Sequence, residues 1–182
     1  MNARENKVQK QGWIPKKERI WLIVAIIIAA LIMLWELKGL LQLSLTTPHS
    51  EQFEHTFESF GSIARIVLFF VLAYYVLLRV IRLRILKGQG KVKKWLSTLL
   101  RFARRWHTPA AIIAIAFIIL HAVAVFMYGL KFDFDNISGL LSLLVLLPVP
   151  ISGLFRYQRM DRKWHLRSGI AFAILFLIHS FL

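Results

Sequence analysis

The 182-residue chain contains no cysteine. That excludes thioether-attached cofactors, thiolate-held iron–sulfur clusters, cysteine nucleophiles and disulfides. Acidic residues are also scarce: nine Asp and Glu stand against twenty-four Lys and Arg, a formal charge of +15. None lies deep within the long apolar runs, which argues against a proton- or cation-coupled carrier. A glycine-rich nucleotide loop is missing too. Gly88 and Gly90 sit in a basic stretch with no strand–turn–helix context.

What is present is apolar. Hydrophobic residues make up 58% of the chain, too many for an ordinary soluble domain of this size. The high positive charge alone would suggest nucleic acid. The basic residues, however, fall in the gaps between apolar runs, as on one side of a membrane protein, and no nucleic-acid partner is expected. The sequence reads as an all-α integral membrane bundle in membrane lipid. A polar cytoplasmic segment covers residues 1–19, and one five-helix domain covers 20–182. Spans are expected at about 20–43, 62–86, 105–130, 136–155 and 164–182. The polar, basic N-terminus lacks a cleavage pattern after its first apolar run, so that run is expected to stay as a helix.

Several local features refine this expectation. Trp21 and Trp35 suit the two interfaces of the first span. Residues 44–62 read as a polar loop, and its His49, Glu51, Glu54, His55 and Glu58 leave open a metal or quinone site or simply a solvated acidic loop. Residues 87–106 interleave basic residues with Trp95, Leu96, Leu99, Leu100 and Phe102, the pattern of a surface-lying amphipathic helix. Pro109 is placed in the first turn of the third span, where proline is tolerated. Asn136 or Ser138 is expected to cap the fourth, and Pro148 and Pro150 to kink it or end it early. Twenty-one of the twenty-four Lys and Arg fall on one side of this arrangement; Lys38, Arg65 and Lys131 fall on the other. The positive-inside rule then predicts a cytoplasmic N-terminus and an external C-terminus in the cell membrane.

Two histidine pairs carry the functional signal. His107 and His121 lie fourteen residues apart in the third span; His165 and His179 lie fourteen apart in the fifth. Fourteen helical residues rise about 21 Å and return to within about 40° of the starting direction. Each helix thus presents two imidazoles on nearly one face, and the two helices run parallel in a five-span chain. His107 with His165, and His121 with His179, would each clamp one iron: two non-covalent, bis-histidine haems b. Four unrelated histidines bonding to neighbouring helices remain the alternative. The face between the histidines carries Ala110, Ala111 and Ala114 on one helix and Ser168, Gly169, Phe172 and Phe176 on the other. Ala114 and Gly169 would admit a flat macrocycle, and the phenylalanines would wall or separate two of them. Simple helix packing through small residues stays open. Haem propionates need cations, and Arg101, Arg104, Arg105, Lys163 and Arg167 lie near the first pair, with Arg65, Lys131 and Tyr128 near the second. Basic residues that merely face lipid headgroups would look the same.

The segments "RRWHTPAAIIAIAFIILHA" and "KWHLRSGIAFAILFLIHSF" resemble the transmembrane di-haem domain of ferric reductases and NADPH oxidases over roughly Arg104 to Leu182. The resemblance implies two b-type haems relaying single electrons across the bilayer, held by His107, His121, His165 and His179. The sixth helix and the flavin and nicotinamide module of that family have no counterpart in the sequence. Electrons are therefore expected from a separate donor protein or membrane quinol and are passed to an outer-face acceptor, and a partner membrane subunit is left open. The resemblance implies that such a chain serves as the electron-transfer component of a transmembrane oxidoreductase, and leaves open whether it is an enzyme in its own right. Two alternatives stand beside it: a quinone-reactive cytochrome b anchor of a larger oxidoreductase, and a cofactor-free scaffold or transporter.

Overall fold

The computed structural model describes residues 16–47, 50–83, 90–155 and 162–182. The expected segment up to residue 15, His49, the 84–86 end of the second span and the 156–161 stretch lie outside them. The described residues form helices α1 (Lys16–Thr46), α2 (Glu51–Arg82), α3 (Gly90–Tyr128), α4 (Phe134–Leu146), α5 (Pro148–Phe155) and α6 (Arg162–Phe181), with no strand among them. Five stretches are long and apolar enough to cross a membrane, α4 and α5 together making one of them.

Three boundaries differ from expectation, each for a local reason. α2 begins at Glu51 rather than at 62, so residues 51–61 of the expected loop are its first turns, and 44–46 end α1. Ser50 is extended and its hydroxyl accepts from the Phe53 N–H at 3.2 Å, a serine N-cap. Glu51 and Glu54 in the first turn and Arg79 and Arg82 in the last complement the helix dipole. The basic 90–104 stretch is no separate surface helix but the start of the 39-residue α3. Pro109 accordingly sits in the helix interior, not in a first turn; its missing N–H deprives the Arg105 carbonyl of its usual donor. Gly129, at φ 113°, ends α3 in a conformation that only glycine adopts readily. The cap of α4 is Asp133, not Asn136 or Ser138: its carboxylate accepts from the Asn136 backbone N–H at 2.9 Å and from the Asn136 amide at 2.8 Å. The break between α4 and α5 falls at Leu147, and Pro148 opens α5, where its missing N–H costs nothing.

The helices assemble as two antiparallel hairpins with an added helix. α2 pairs with α3, α4 and α5 pair with α6, and α1 lies along α3 while barely touching α2. Glu51, Glu54, Glu58, Asp133 and Asp135 mark one end of the bundle and Arg79, Arg101, Arg104 and Arg105 the other. Near the acidic end, Leu40, Phe53, Phe60, Leu120 and Ala124 knit the first three helices together. At mid-height, Leu68, Ala114, Leu146, Phe172 and Phe176 join the two hairpins. The outside stays apolar: Leu31, Leu34 and Trp35 on α1 are each more than 60% exposed. No buried side-chain nitrogen or oxygen among the described residues lacks a hydrogen-bond partner.

Candidate functional site

Each of the four histidines points its Nδ1 at a backbone carbonyl of the facing helix in its own hairpin. His121 meets Phe57 at 2.7 Å and His107 meets Val71 at 3.2 Å, both carbonyls on α2. His179 meets Asp135 at 3.0 Å on α4, and His165 meets Val149 at 3.0 Å on α5. A carbonyl oxygen only accepts, so each Nδ1 carries the proton. Each Nε2 therefore keeps its lone pair, which is how metal-ligating histidines are oriented. The carbonyl partners repeat the histidine spacing: Phe57 to Val71 and Asp135 to Val149 are each fourteen residues. As α3 and α6 advance from one histidine to the next, their partners step back by the same count.

Room for the imidazoles comes from glycine. In a helix the side chain four residues beyond a carbonyl leans back over it. Gly61 is four beyond Phe57, Gly139 four beyond Asp135 and Gly153 four beyond Val149. A Cβ on Gly61 would meet the His121 ring at 3.1 Å, one on Gly139 the His179 ring at 2.9 Å, and one on Gly153 the His165 ring at 3.4 Å. Beyond Val71 stands Tyr75 instead, and that bond is the longest of the four. The Tyr74 ring lies 5.2 Å from the His107 ring. The α6 histidines have a second partner. Ser138 and Ser152 donate to the Asp135 and Val149 carbonyls at 3.0 and 2.9 Å, and their oxygens accept from His179 and His165 Nδ1 at 3.3 Å.

The rings of His121 and His179 face each other across the hairpins, centroids 6.4 Å apart and planes 51° apart. A metal–imidazole bond is about 2 Å and a ring nitrogen sits about 1 Å from its ring centre, so two imidazoles on opposite sides of one metal place their centroids about 6 Å apart. The two rings stand at that separation. They line a cavity of about 850 Å³ between the hairpins, within the range of cofactor pockets. No group of three or more His, Asp or Glu side chains that could hold a metal occurs among the described residues. Two axial imidazoles instead suit a metal whose other positions are filled by a macrocycle. The described members of the acidic loop set do not gather into such a group either: His55 lies 4.0 Å from Glu58, both exposed, in the first turns of α2.

The other expected site residues scatter more widely. Ala114 is fully buried halfway between His107 and His121, and Phe172 is 6% exposed halfway between His165 and His179. Phe172 stacks on Phe176 at 6.0 Å, and both line the cavity wall. Gly169 serves no close approach to protein atoms: a Cβ there would meet nothing within 4 Å. Ala110 faces away from the cavity into a groove beside α1. Arg105 is exposed with its guanidinium 5.4 Å above the Trp21 ring. Lys163 and Arg167 are exposed on the first turns of α6. At the acidic end, Arg65 is the cation among the described cavity-lining residues and donates to the Ser180 carbonyl at 3.3 Å. Lys131 is exposed, and Tyr128 donates to Glu54 at 3.2 Å. The sequence reading missed Gly61, Gly139, Gly153, Ser138 and Ser152. For all of these but Gly61 a signal was present: Ile-Ser-Gly-Leu occurs at 137–140 and again at 151–154, fourteen residues on. No family model, curated protein or solved structure matches the chain.

Proposed function

We propose that the chain is a transmembrane electron-transfer protein holding two haems b, one between His121 and His179 and one between His107 and His165, in the manner of the ferric reductase and NADPH oxidase membrane domain. The observation that carries this reading is the shared Nδ1-to-carbonyl bond of all four histidines, in register on both hairpins. In this reading the basic end faces the cytoplasm and the acidic end the exterior. Haem b, when bound, supplies reversible one-electron exchange at its iron.

The chain's own residues prepare that chemistry. Each carbonyl fixes the tautomer and the plane of its imidazole, and bonding of Nδ1–H raises the donor strength of Nε2. Ser138 and Ser152 add a second acceptor for the α6 ligands. Gly61, Gly139 and Gly153 leave room for the rings to approach the helix backbone closely. Phe172 and Phe176 exclude water from the level between the two pairs. Arg65 supplies a cation for a propionate of the acidic-end group. Electrons then pass between a cytoplasmic or quinol donor and an external acceptor, with a second membrane subunit a natural companion.

The decisive experiment is a dithionite-reduced minus oxidised spectrum of the purified chain, with haem quantified per chain. A b-type spectrum with two haems per chain is expected. One haem would mean that one pair is misassigned, and a colourless protein would overturn the proposal in favour of a scaffold or transporter.

A further inference from the structure

α1 touches α2 little, and at the basic end the two helices part to leave a groove of about 510 Å³ beside α3, lined by neither His107 nor His121. Its walls include Trp21 and Ile28 of α1, Phe70 of α2, and Phe102, Trp106 and Ala110 of α3. Every lining residue is aliphatic or aromatic. At the lip, the Trp21 and Trp106 rings lie 5.4 Å apart, and the Arg105 guanidinium rests on Trp21. Arg101, Arg104 and Arg105 are all exposed there, and α3 has no acidic residue along its whole length. Tryptophans with arginines above them mark the level where hydrocarbon gives way to headgroups.

We propose that this groove is a binding site for an anionic phospholipid. One acyl chain fills the space between α1, α2 and α3, and the phosphate is held by Arg105 with help from Arg101, one turn earlier. The inference rests on the membrane-spanning reading and not on the histidine pairs. The lining argues against a quinone ring, whose two oxygens would find no donor inside. Three arginines stand at this lip against one carboxylate, Glu18 in the first turn of α1, so an anionic lipid is favoured over a zwitterionic one. The lipid would bind α1 to α2 where the protein itself does not.

The test uses the full chain, stripped of lipid in detergent and titrated separately with phosphatidylglycerol, phosphatidylcholine and inorganic phosphate. Melting temperature and lipid retained in native mass spectrometry are read together. Phosphatidylglycerol is expected to bind and to raise the melting temperature, phosphatidylcholine to bind about fivefold more weakly, and phosphate alone to do nothing. Arg105→Gln should abolish the preference for the anionic lipid, whereas Arg79→Gln, which removes an exposed charge outside the groove, should keep it. Ile28→Trp, and independently Ala110→Ile, should weaken both lipids by filling the groove. Equal losses in the two arginine variants, a phosphate effect as large as the lipid's, or lipid binding unchanged in both filled grooves would each overturn the site. Failure of the chain to partition with membranes would instead overturn the spanning reading itself.

Discussion

A single methyl group placed on each of three glycines should report on the histidine sites one at a time. In Gly139→Ala the new Cβ meets His179 Cε1 at 2.9 Å and Nδ1 and Nε2 at 3.2 Å. Comfortable carbon contacts begin near 3.5 Å, so the ring must retreat by about half an ångström. It is tethered by the Asp135 carbonyl at 3.0 Å and Ser138 at 3.3 Å; that retreat stretches the first to the limit of hydrogen bonding and breaks the second. Overpacking of this kind costs about 1–3 kcal/mol, against about 0.5–1 kcal/mol gained by replacing a helical glycine with alanine. The net is a loss of about 1–2 kcal/mol at one ligand. Gly61→Ala, at 3.1 Å from His121, falls between; Gly153→Ala, at 3.4 Å from His165, meets ordinary contact and should be neutral or slightly stabilising. Gly39→Ala and Gly169→Ala, with nothing within 4 Å, are the controls. The assay is thermal melting in detergent alongside haem per chain. The expected order of loss is 139, then 61, then 153, with the first two confined to the acidic-end haem. An equal effect of all three, or a larger one at 153, would refute the close-approach role of these glycines.

The other predictions are simpler. His121→Ala should remove the acidic-end haem and leave the other, because the four ligands act as two pairs; retention of both spectral components would dismantle the pairing. Arg65→Gln should weaken haem retention at that end several-fold and free the Ser180 carbonyl, whereas Lys131→Gln, outside the cavity lining, should leave haem content unchanged. The Asn136 backbone N–H, with the Asn136 amide and Lys131 adding to it, holds the Asp133 carboxyl below the usual carboxylate range. The cap's contribution to stability is thus present above that range and fades as pH falls through the lowered value; the melting difference between wild type and Asp133→Ala should therefore shrink at strongly acid pH, and a difference that grew there would contradict the cap. A C-terminal tag should be cut by external protease in intact cells; protection would contradict the orientation.

Fold class was legible because apolar runs of membrane-crossing length leave few alternatives. The boundaries were not, and the reasons are particular. Ser50, Glu51 and Glu54 are polar letters that read as loop, yet a capped helix start needs just such residues. Residues 90–104 read as a surface helix because their amphipathic period says nothing about whether the helix continues through Pro109. The histidine pairs were visible because their spacing lies within one helix. Their carbonyl partners were not, since a backbone oxygen has no letter. Gly139 and Gly153 left a trace in the repeated Ile-Ser-Gly-Leu, but Gly169, the one singled out, faces open space.

The common fourteen-residue step has a consequence for how such a chain tolerates change. Two levels of the bundle are set by residue count on four spans at once: α2, α3, α4 with α5, and α6. Away from Gly61 and Gly139, which lie against the imidazoles, a substitution between the levels alters local packing and little else. A one-residue insertion between His107 and His121, by contrast, turns the second imidazole by about 100° away from the Phe57 carbonyl and shifts it by about 1.5 Å. No single compensating substitution restores the alignment; a matching insertion in α2 adjusts the height but not the direction of the ring. The protein is thus built like a vernier, permissive in composition and strict in length.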